Sequence, residues 1–316
     1  PIASELAKLG GEVVFSTYGD GIGYAHKLKL RLVKTVPIYL RVREDGSVDF
    51  KSTATRSGLS LGMRTFIRQV LAEIRNLKSF KPDIVFSDSR ASTLLAAKLL
   101  GIPTLLMLNQ YKVNIVRKPS SVKISIGDRV FFFIANISWL FFRTLLQGLW
   151  SIADLILIPD FEYPYTVSIG NLAIPKRYSR KVRLVGPVVS ARPSQIAQTS
   201  DDIRKYLGVP VSKPLVYVGV SGPQIERRYL AGLLEEVIKG TAFNGQFVMS
   251  RGEASGSEIA TLNKKLLIFD WLTDEQQCEL FKACDLVVCR AGHGTIVKAI
   301  AFGKHMILIP MSDHTE

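Results

Sequence analysis

The stretch Asp285–Ile296 reads DLVVCRAGHGTI, which combines an apolar strand, a glycine-rich turn and the start of a helix. The two glycines, Gly292 and Gly294, let the backbone come close to a ligand. A helix predicted from Thr295 to Phe302 would direct unpaired N–H groups and a partial positive charge at that turn. The turn is therefore a candidate phosphate site, although such glycines can also serve packing alone.

The same alternation of apolar strands and amphipathic helices extends along the chain. Near-continuous apolar strands separated by helices indicate parallel sheets covered on both faces. Two such series predict an α/β protein of two Rossmann-like domains with a ligand cleft between them. The predicted strands are Val13–Ser16, Asp83–Ser87, Thr104–Leu108, Leu155–Ile158, Val182–Val185, Leu215–Gly219, Gln246–Met249, Leu266–Phe269, Leu286–Cys289 and Met306–Ile309.

A segment rich in proline and serine, 186–195, separates the two series. We therefore predict an N-terminal acceptor-binding domain over residues 1–186 and a C-terminal nucleotide-sugar-binding domain over 187–316. Pro1–Gly11 reads as the helix of a β-α-β unit, so a first strand and loop are expected before Pro1. A C-terminal tail is likewise expected beyond Glu316.

The amino-acid composition limits the classes of binding partner that are expected. The 316 residues carry 41 Lys and Arg against 27 Asp and Glu, a net charge of +14, which favours a polyanionic partner or surface. Nucleic acid is disfavoured because no basic–aromatic module is present. The three cysteines, Cys278, Cys284 and Cys289, match no zinc spacing and are predicted to be buried thiols in a reducing cytosol. No metal is expected.

A second glycine loop follows the first strand of the C-terminal half. It contains Ser221 and Gly222 and again lies between a strand and a helix. Such loops are common. Two of them at the carboxyl ends of strands in one domain could hold a pyrophosphate from two sides.

Four segments together carry a family resemblance, namely Phe269–Leu272, Leu280–Thr295, Ala299–Lys304 and Ile307–Pro310. They resemble the C-terminal domain of family 28 (MurG-like) glycosyltransferases, and the UDP-glycosyltransferases share a related signature. The resemblance covers roughly residues 215–316. It implies a GT-B enzyme that moves a sugar from a nucleoside diphosphate, UDP-GlcNAc or a similar donor, to a hydroxyl or phosphate of a lipid-linked acceptor without a metal.

The resemblance also implies residue roles. The diphosphate would be held by Gly292, His293, Gly294 and Thr295, with Ser221 and Gly222 facing them. Trp271 and Leu272 would border the base. Arg251 is a candidate phosphate or base contact, with a solvent-facing arginine as the alternative. The donor sugar would meet Asp313, His314 and Glu316.

One departure concerns the ribose. Lys298 stands where the family has a glutamate that binds the ribose hydroxyls, and an ammonium group cannot accept hydrogen bonds. Three explanations of this departure are open: another group binds the ribose, the nucleotide is a different one, or the donor site is degraded. The last possibility keeps a non-catalytic sugar-nucleotide-binding or membrane-binding subunit as an alternative. A dinucleotide-dependent oxidoreductase is disfavoured because no G-x-G-x-x-G run opens a helix.

The catalytic base is expected from the resemblance to be a histidine upstream of Pro1. Within the chain, Asp88 follows a predicted strand and is a weak candidate for acting on an acceptor hydroxyl. Capping of the following helix is its alternative role.

The long apolar helix predicted over 129–150 bears on the membrane. Arg129, Asn136, Arg143 and Gln147 fall on one face of this helix. The remaining surface is aromatic and aliphatic, and its aromatic members are Phe131, Phe132, Phe133, Trp139, Phe141 and Phe142. Basic residues lie just upstream at 112, 117, 118 and 123. This pattern predicts a helix in the interface of a membrane, hence a cytoplasmic protein peripheral to the inner face of the cell membrane. A core helix that shows its polar stripe to solvent is the alternative.

Overall fold

The computed structural model describes residues 2–37, 58–112, 126–253, 261–262 and 265–310. In the N-terminal half, one parallel pair joins β1 (Val14–Thr17) to β2 (Arg31–Lys34). A separate parallel sheet has the order β3 (Val85–Asp88), β4 (Thr104–Met107), β5 (Leu155–Ile158) and β6 (Val182–Leu184). The helices of this half are α1 (Ile2–Lys8), α2 (Asp20–Lys27), α3 (Gly58–Phe80), α4 (Ala91–Leu99) and α5 (Ile126–Ser151).

The C-terminal half forms a six-stranded sheet. Its strands are β7 (Leu215–Gly219), β8 (Gln246–Ser250), β9 (Thr261–Leu262), β10 (Leu266–Phe269), β11 (Leu286–Arg290) and β12 (His305–Ile309). They are arranged β12-β11-β7-β8-β10-β9, and only the β9–β10 pairing is antiparallel. The helices are α6 (Ser200–Tyr206), α7 (Gln224–Gly240), α8 (Asp274–Ala283) and α9 (His293–Ala301).

The strand order of this sheet reverses between β7 and β11. From β7 the chain continues through β8 and β10 on one side, then returns to β11 and β12 on the other. Doubly wound sheets bind ligands at such a switch point, outside the carboxyl ends of the strands. The loops that follow β7 and β11 are the two glycine loops of the sequence.

The predicted fold class is confirmed, with differences in detail. The sequence prediction missed β2, α2 and β9. Helix α9 begins at His293, two residues before the predicted start. The domain boundary predicted after residue 186 falls between β6 and β7 and stays a prediction.

Apolar clusters cover both faces of the C-terminal sheet. Tyr217, Phe281 and Val287 belong to one cluster, and Val218, Leu230 and Met249 belong to the other. The three cysteines are buried and no disulfide joins them, as predicted. Burial raises the pKa of Cys284 to about 12.

Within the described ranges, no helix is both long enough and apolar enough to cross a bilayer.

Candidate active site

The two glycine loops meet at the switch point. Strand β7 pairs with β11 in parallel, with Gly219 beside Cys289, so the loop 220–223 lies next to the turn 291–292. A Cβ placed on Gly292 would lie 3.8 Å from the Ser221 hydroxyl oxygen. The structure therefore brings together the two segments for which the sequence predicted phosphate binding.

The turn after β11 leads directly into the first turn of α9. Gly292 is the N-cap, no side chain caps it, and its carbonyl accepts hydrogen bonds from Thr295 and Ile296. The N–H groups of His293 and Gly294 have no acceptor among the described residues. Unpaired amides and the positive end of the helix dipole suit this turn to an anion.

Two buried arginines donate hydrogen bonds to backbone carbonyls of the loop that follows β7. The Arg290 Nη1 atom lies 2.6 Å from Glu226 Oε2, with side-chain exposures of 2% and 1%, and it donates to the Ser221 carbonyl at 3.3 Å. Arg227 donates to the Gly222 carbonyl at 2.7 Å. The C=O and N–H of a trans peptide point in opposite directions, so the N–H of Gly222 points away from Arg290.

His293 faces a carboxylate of the other half. Its Nε2 atom lies 3.3 Å from Oδ2 of Asp160, a fully buried residue just after β5. Burial alone would raise the pKa of Asp160, but hydrogen bonds from three backbone N–H groups, together with His293, hold that pKa below its usual value. Those N–H groups belong to Phe161, Val167 and Ser168. Asp160 was not predicted from the sequence, because no local pattern distinguishes it.

A crevice of about 2150 Å³ opens in front of this pair. The C-terminal half lines it with Val188, His293, Gly294 and Val297, and the N-terminal half forms the rest of the wall. Ser221 and Gly222 lie beside the crevice rather than in its wall. The turn at 291–294 is thus directed at the space between the two halves.

Asp88 lies in the crevice wall at the carboxyl end of β3. Its side chain is open to solvent in the crevice, yet the surrounding protein raises the pKa of its carboxyl group despite a 3.3 Å hydrogen bond from Ser89. The alternative role as a helix cap is wrong. The N-cap of α4 is Arg90, and no side chain makes a capping hydrogen bond there.

A polar network beside Asp88 was not predicted from the sequence. The Arg90 Nη2 atom donates at 2.9 Å both to Glu73 Oε1 and to the Ser16 hydroxyl, which itself donates to Glu73 at 2.6 Å. Glu73 is buried although it shares a face of α3 with Val70 and Leu77. A carboxylate in an apolar helical register was the signal that could have revealed it.

The residues predicted for the base and ribose do not line the crevice. Trp271 packs edge-to-face on Tyr24 of α2, with ring centroids 5.6 Å apart, and Leu272 is buried in the C-terminal core. Arg251 is ion-paired with Glu235 at 2.6 Å and with Asp270 at 3.4 Å rather than open to the crevice. Contact of these three residues with a nucleotide stays a prediction.

Lys298 points toward α8. Its ammonium donates to Gln277 Oε1 at 3.0 Å and lies 5.7 Å from the centre of the Phe281 ring. Asp313, His314 and Glu316, predicted to contact the donor sugar, lie outside the described residues.

Helix α5 exposes much of its apolar face, and Arg129 and Asn136 of its polar stripe are exposed as well, so the membrane-interface helix and the core helix both stay predictions. Arg143 and Gln147 of that stripe are half-buried, and Gln147 donates to the Tyr111 carbonyl. Eight exposed apolar residues form what we call the α5 stripe: Ile126, Val130, Phe133, Ile134, Ile137, Leu140, Phe141 and Leu145.

The aromatic residues predicted to face a membrane divide into two sets. Phe133 and Phe141 belong to the α5 stripe and are 67% and 68% exposed. Trp139 and Phe142 are half-buried and stack on each other at 6.2 Å; Trp139 packs on the N-terminal core and Phe142 lines the crevice. Contact of Trp139 and Phe142 with a membrane stays a prediction. The side chains of Phe131 and Phe132 lie outside the described set.

The fold and this site define a class. Two halves with parallel sheets, which meet at a crevice with a phosphate-type turn, form the GT-B architecture. A solved glycosyltransferase from Streptomyces nogalater, SnogD, matches 98% of this chain and 77% of its own at a TM-score of 0.56 and 19% identity. SsfS6 from Streptomyces sp. SF2575, solved with thymidine diphosphate, matches 100% and 78% at a TM-score of 0.58 and 16% identity.

Sequence comparisons agree with this class. Residues 239–316 match the family model described as glycosyltransferase family 28 C-terminal domain. An uncharacterized glycosyltransferase of Methanosarcina acetivorans is 25% identical over 324 residues, which cover 100% of this chain and 76% of that protein. Another, MK0977 of Methanopyrus kandleri, is 23% identical and is covered to 81%. The chain is accordingly a glycosyltransferase of the GT-B class, and its residues 239–316 resemble the C-terminal domain of family 28.

Proposed function

We propose that this enzyme transfers a sugar from a nucleoside-diphosphate sugar, UDP-GlcNAc or a similar donor, to a hydroxyl or phosphate of a lipid-linked acceptor. The observation that carries the donor assignment is the meeting of the loop at Gly222 with the amino end of α9, beside an open crevice. The thymidine diphosphate bound to SsfS6 supports a nucleoside diphosphate as the ligand of this fold.

The chemistry follows from the placement of charge. The acceptor oxygen attacks the anomeric carbon of the donor, the bond from that carbon to the phosphate oxygen breaks, and the electron pair leaves with the diphosphate. The N–H groups at the start of α9 stabilise the developing negative charge. This step asks for no metal, so metal independence stays part of the proposal.

The proton of an acceptor hydroxyl needs a base. Asp88 is the candidate within the chain, because it stands in the crevice wall and its raised pKa makes it a better base than an ordinary aspartate. The histidine expected upstream of Pro1 is the other candidate.

Nucleotide binding tests the donor assignment. We expect UDP or dTDP to bind, and His293→Ala to weaken that binding about 10-fold because an imidazole beside the phosphates is lost. Isothermal titration calorimetry measures both. His305→Ala, at an exposed position of β12, serves as the control and should bind as the wild type does. Binding of NADH instead of UDP or dTDP would favour the oxidoreductase alternative and refute the proposal.

The α5 stripe supports the lipid-linked acceptor. Lys181 donates to the carbonyls of Ser151 and Ala153 at the end of α5, and it belongs to a basic segment, 176–183, with five lysines and arginines and no acidic residue. Exposed apolar side chains flanked by cations match the interface of an anionic bilayer.

The stripe also leads to the crevice. Leu145 belongs to the stripe and lines the crevice as well, and Phe142, Leu146 and Leu149 continue that apolar lining inward. Met63 and Phe66 of α3 line it too. An apolar chain could pass along this wall while its polar head reaches Asp88 and His293.

Vesicle binding tests the membrane assignment. The double variant Phe133→Glu with Phe141→Glu should reduce partitioning about 100-fold or more, because two aromatic side chains no longer leave water. Sedimentation with phosphatidylcholine vesicles, with and without phosphatidylglycerol, measures this partitioning. The control Leu233→Glu with Val237→Glu places the same two charges on exposed apolar positions of α7. Equal binding by both variants would contradict the assignment.

A further inference from the structure

Helix α2 connects the N-terminal half to the loop at Gly222. Asp20, the first residue of α2, accepts a hydrogen bond from Arg227 Nη1 at 2.9 Å, and the same nitrogen donates to the Gly222 carbonyl at 2.7 Å. One guanidinium group thus joins the other half of the molecule to the backbone of the loop that the donor would contact.

The two partners of this ion pair differ in how deeply they are buried. The side chain of Arg227 is 9% exposed, whereas that of Asp20 is 55% exposed. Arg227 is fixed in the C-terminal half, where its Cδ atom would lie 3.3 Å from a Cβ on Gly252. Asp20 approaches it from the other half and stays accessible to water. Separation of the two halves would therefore remove the carboxylate and leave the arginine in place.

Arg290 binds the neighbouring Ser221 carbonyl, whereas among the described residues Arg227 is the donor to the Gly222 carbonyl. Pro223 follows Gly222 and has no N–H, and the φ of Gly222 is +115°, which lies outside the range that side chains tolerate. The orientation of the Gly222 carbonyl depends on its donor, Arg227. A guanidinium neutralised and oriented by Asp20 holds that carbonyl more rigidly than one that has lost its carboxylate.

We propose that Arg227 is a positioning residue that couples closure of the two halves, through Asp20, to the shape of the donor loop at Gly222. This inference rests on the proposed function, because the loop is taken to bind the donor diphosphate. By thermodynamic linkage, closure then tightens nucleotide binding and bound nucleotide favours closure by the same factor.

A double-mutant cycle on the dissociation constant of UDP or dTDP tests the coupling. We expect Asp20→Asn to weaken binding about 5-fold and Arg227→Met to weaken it roughly 30-fold, since the loop also loses its charged donor. In the Arg227→Met background, Asp20→Asn should have no further effect beyond about 2-fold, because the residue through which it acts is gone. Independent effects that multiply would overturn the inference.

Two controls make the test specific. Tyr24→Phe breaks another contact between the halves, the 3.2 Å hydrogen bond to Asp274, without touching Arg227. The effects of Tyr24→Phe and Arg227→Met on the dissociation constant should multiply. If Tyr24→Phe has no effect in the Arg227→Met background, then loss of Arg227 separates the two halves as a whole, and the inference is overturned. Arg228→Gln removes a neighbouring charge that pairs with Glu253 on the surface, and nucleotide affinity should not change.

The test can still be carried out if one of the variants folds poorly. Thermal unfolding of each variant identifies one, and Arg227→Gln, which removes the charge but keeps a polar side chain, then replaces Arg227→Met with the same expected non-additivity. If the wild type binds neither nucleotide, the proposed function and this inference are both overturned. If it binds and the effects multiply, only this inference is overturned.

Discussion

Gly222→Ala is expected to weaken binding of UDP or dTDP by about 100-fold or more and to lower the free energy of unfolding by about 2–4 kcal/mol. The φ of Gly222 is +115°, where an alanine is strained whatever the space around it. The new Cβ would lie 2.3 Å from Arg290 Nη1 and 2.8 Å from Glu226 Oε2, so the buried ion pair must move as well. Both effects distort the loop that meets Gly292.

Calorimetry and urea unfolding measure the two effects separately. Gly232→Ala is the matched control: Gly232 is exposed in the interior of α7, and a Cβ there meets nothing within 4 Å. That control should raise the free energy of unfolding by about 0.5–1 kcal/mol and leave nucleotide binding unchanged. A Gly222→Ala variant that binds like the wild type would show that the loop takes no part in the donor site.

Local sequence determined the part of the site that could be predicted. The turn after β11 follows from an apolar run, two glycines and a helix, all within twelve residues, and short-range patterns of this kind report backbone geometry directly. The partners of that turn are distant in sequence. Asp160 lies more than 130 residues before His293, and no periodicity marks it.

Helix α2 shows why a local reading failed. Its sequence begins DGIG, and because glycine disfavours helices the local sequence did not predict this helix. The structure requires one of these glycines, because a Cβ on Gly21 would lie 2.3 Å from Thr17 Oγ1. Contacts of Asp20 and Tyr24 with the C-terminal half accompany this helix, and the sequence alone contains no information about them.

Helix α5 shows a different limit. Its two faces could be separated by periodicity, but periodicity does not say which face meets the protein. Trp150 shows which face packs against the protein, because it is buried in the N-terminal core and donates to the Ser89 carbonyl at 2.8 Å. With that side turned inward, the α5 stripe is left facing outward.

Glu226→Gln is expected to lower the free energy of unfolding by about 3–5 kcal/mol, because it leaves the buried Arg290 guanidinium without its carboxylate. Replacing both partners in Glu226→Leu with Arg290→Met removes the charges together and should restore most of that stability, since apolar pairs of similar volume are often as stable. Nucleotide binding should not return, because the Ser221 carbonyl has lost its donor. Urea unfolding and calorimetry on the same samples separate the two outcomes. Recovery of nucleotide affinity in the double variant would show that the ion pair contributes to folding alone and that Arg290 does not shape the donor loop.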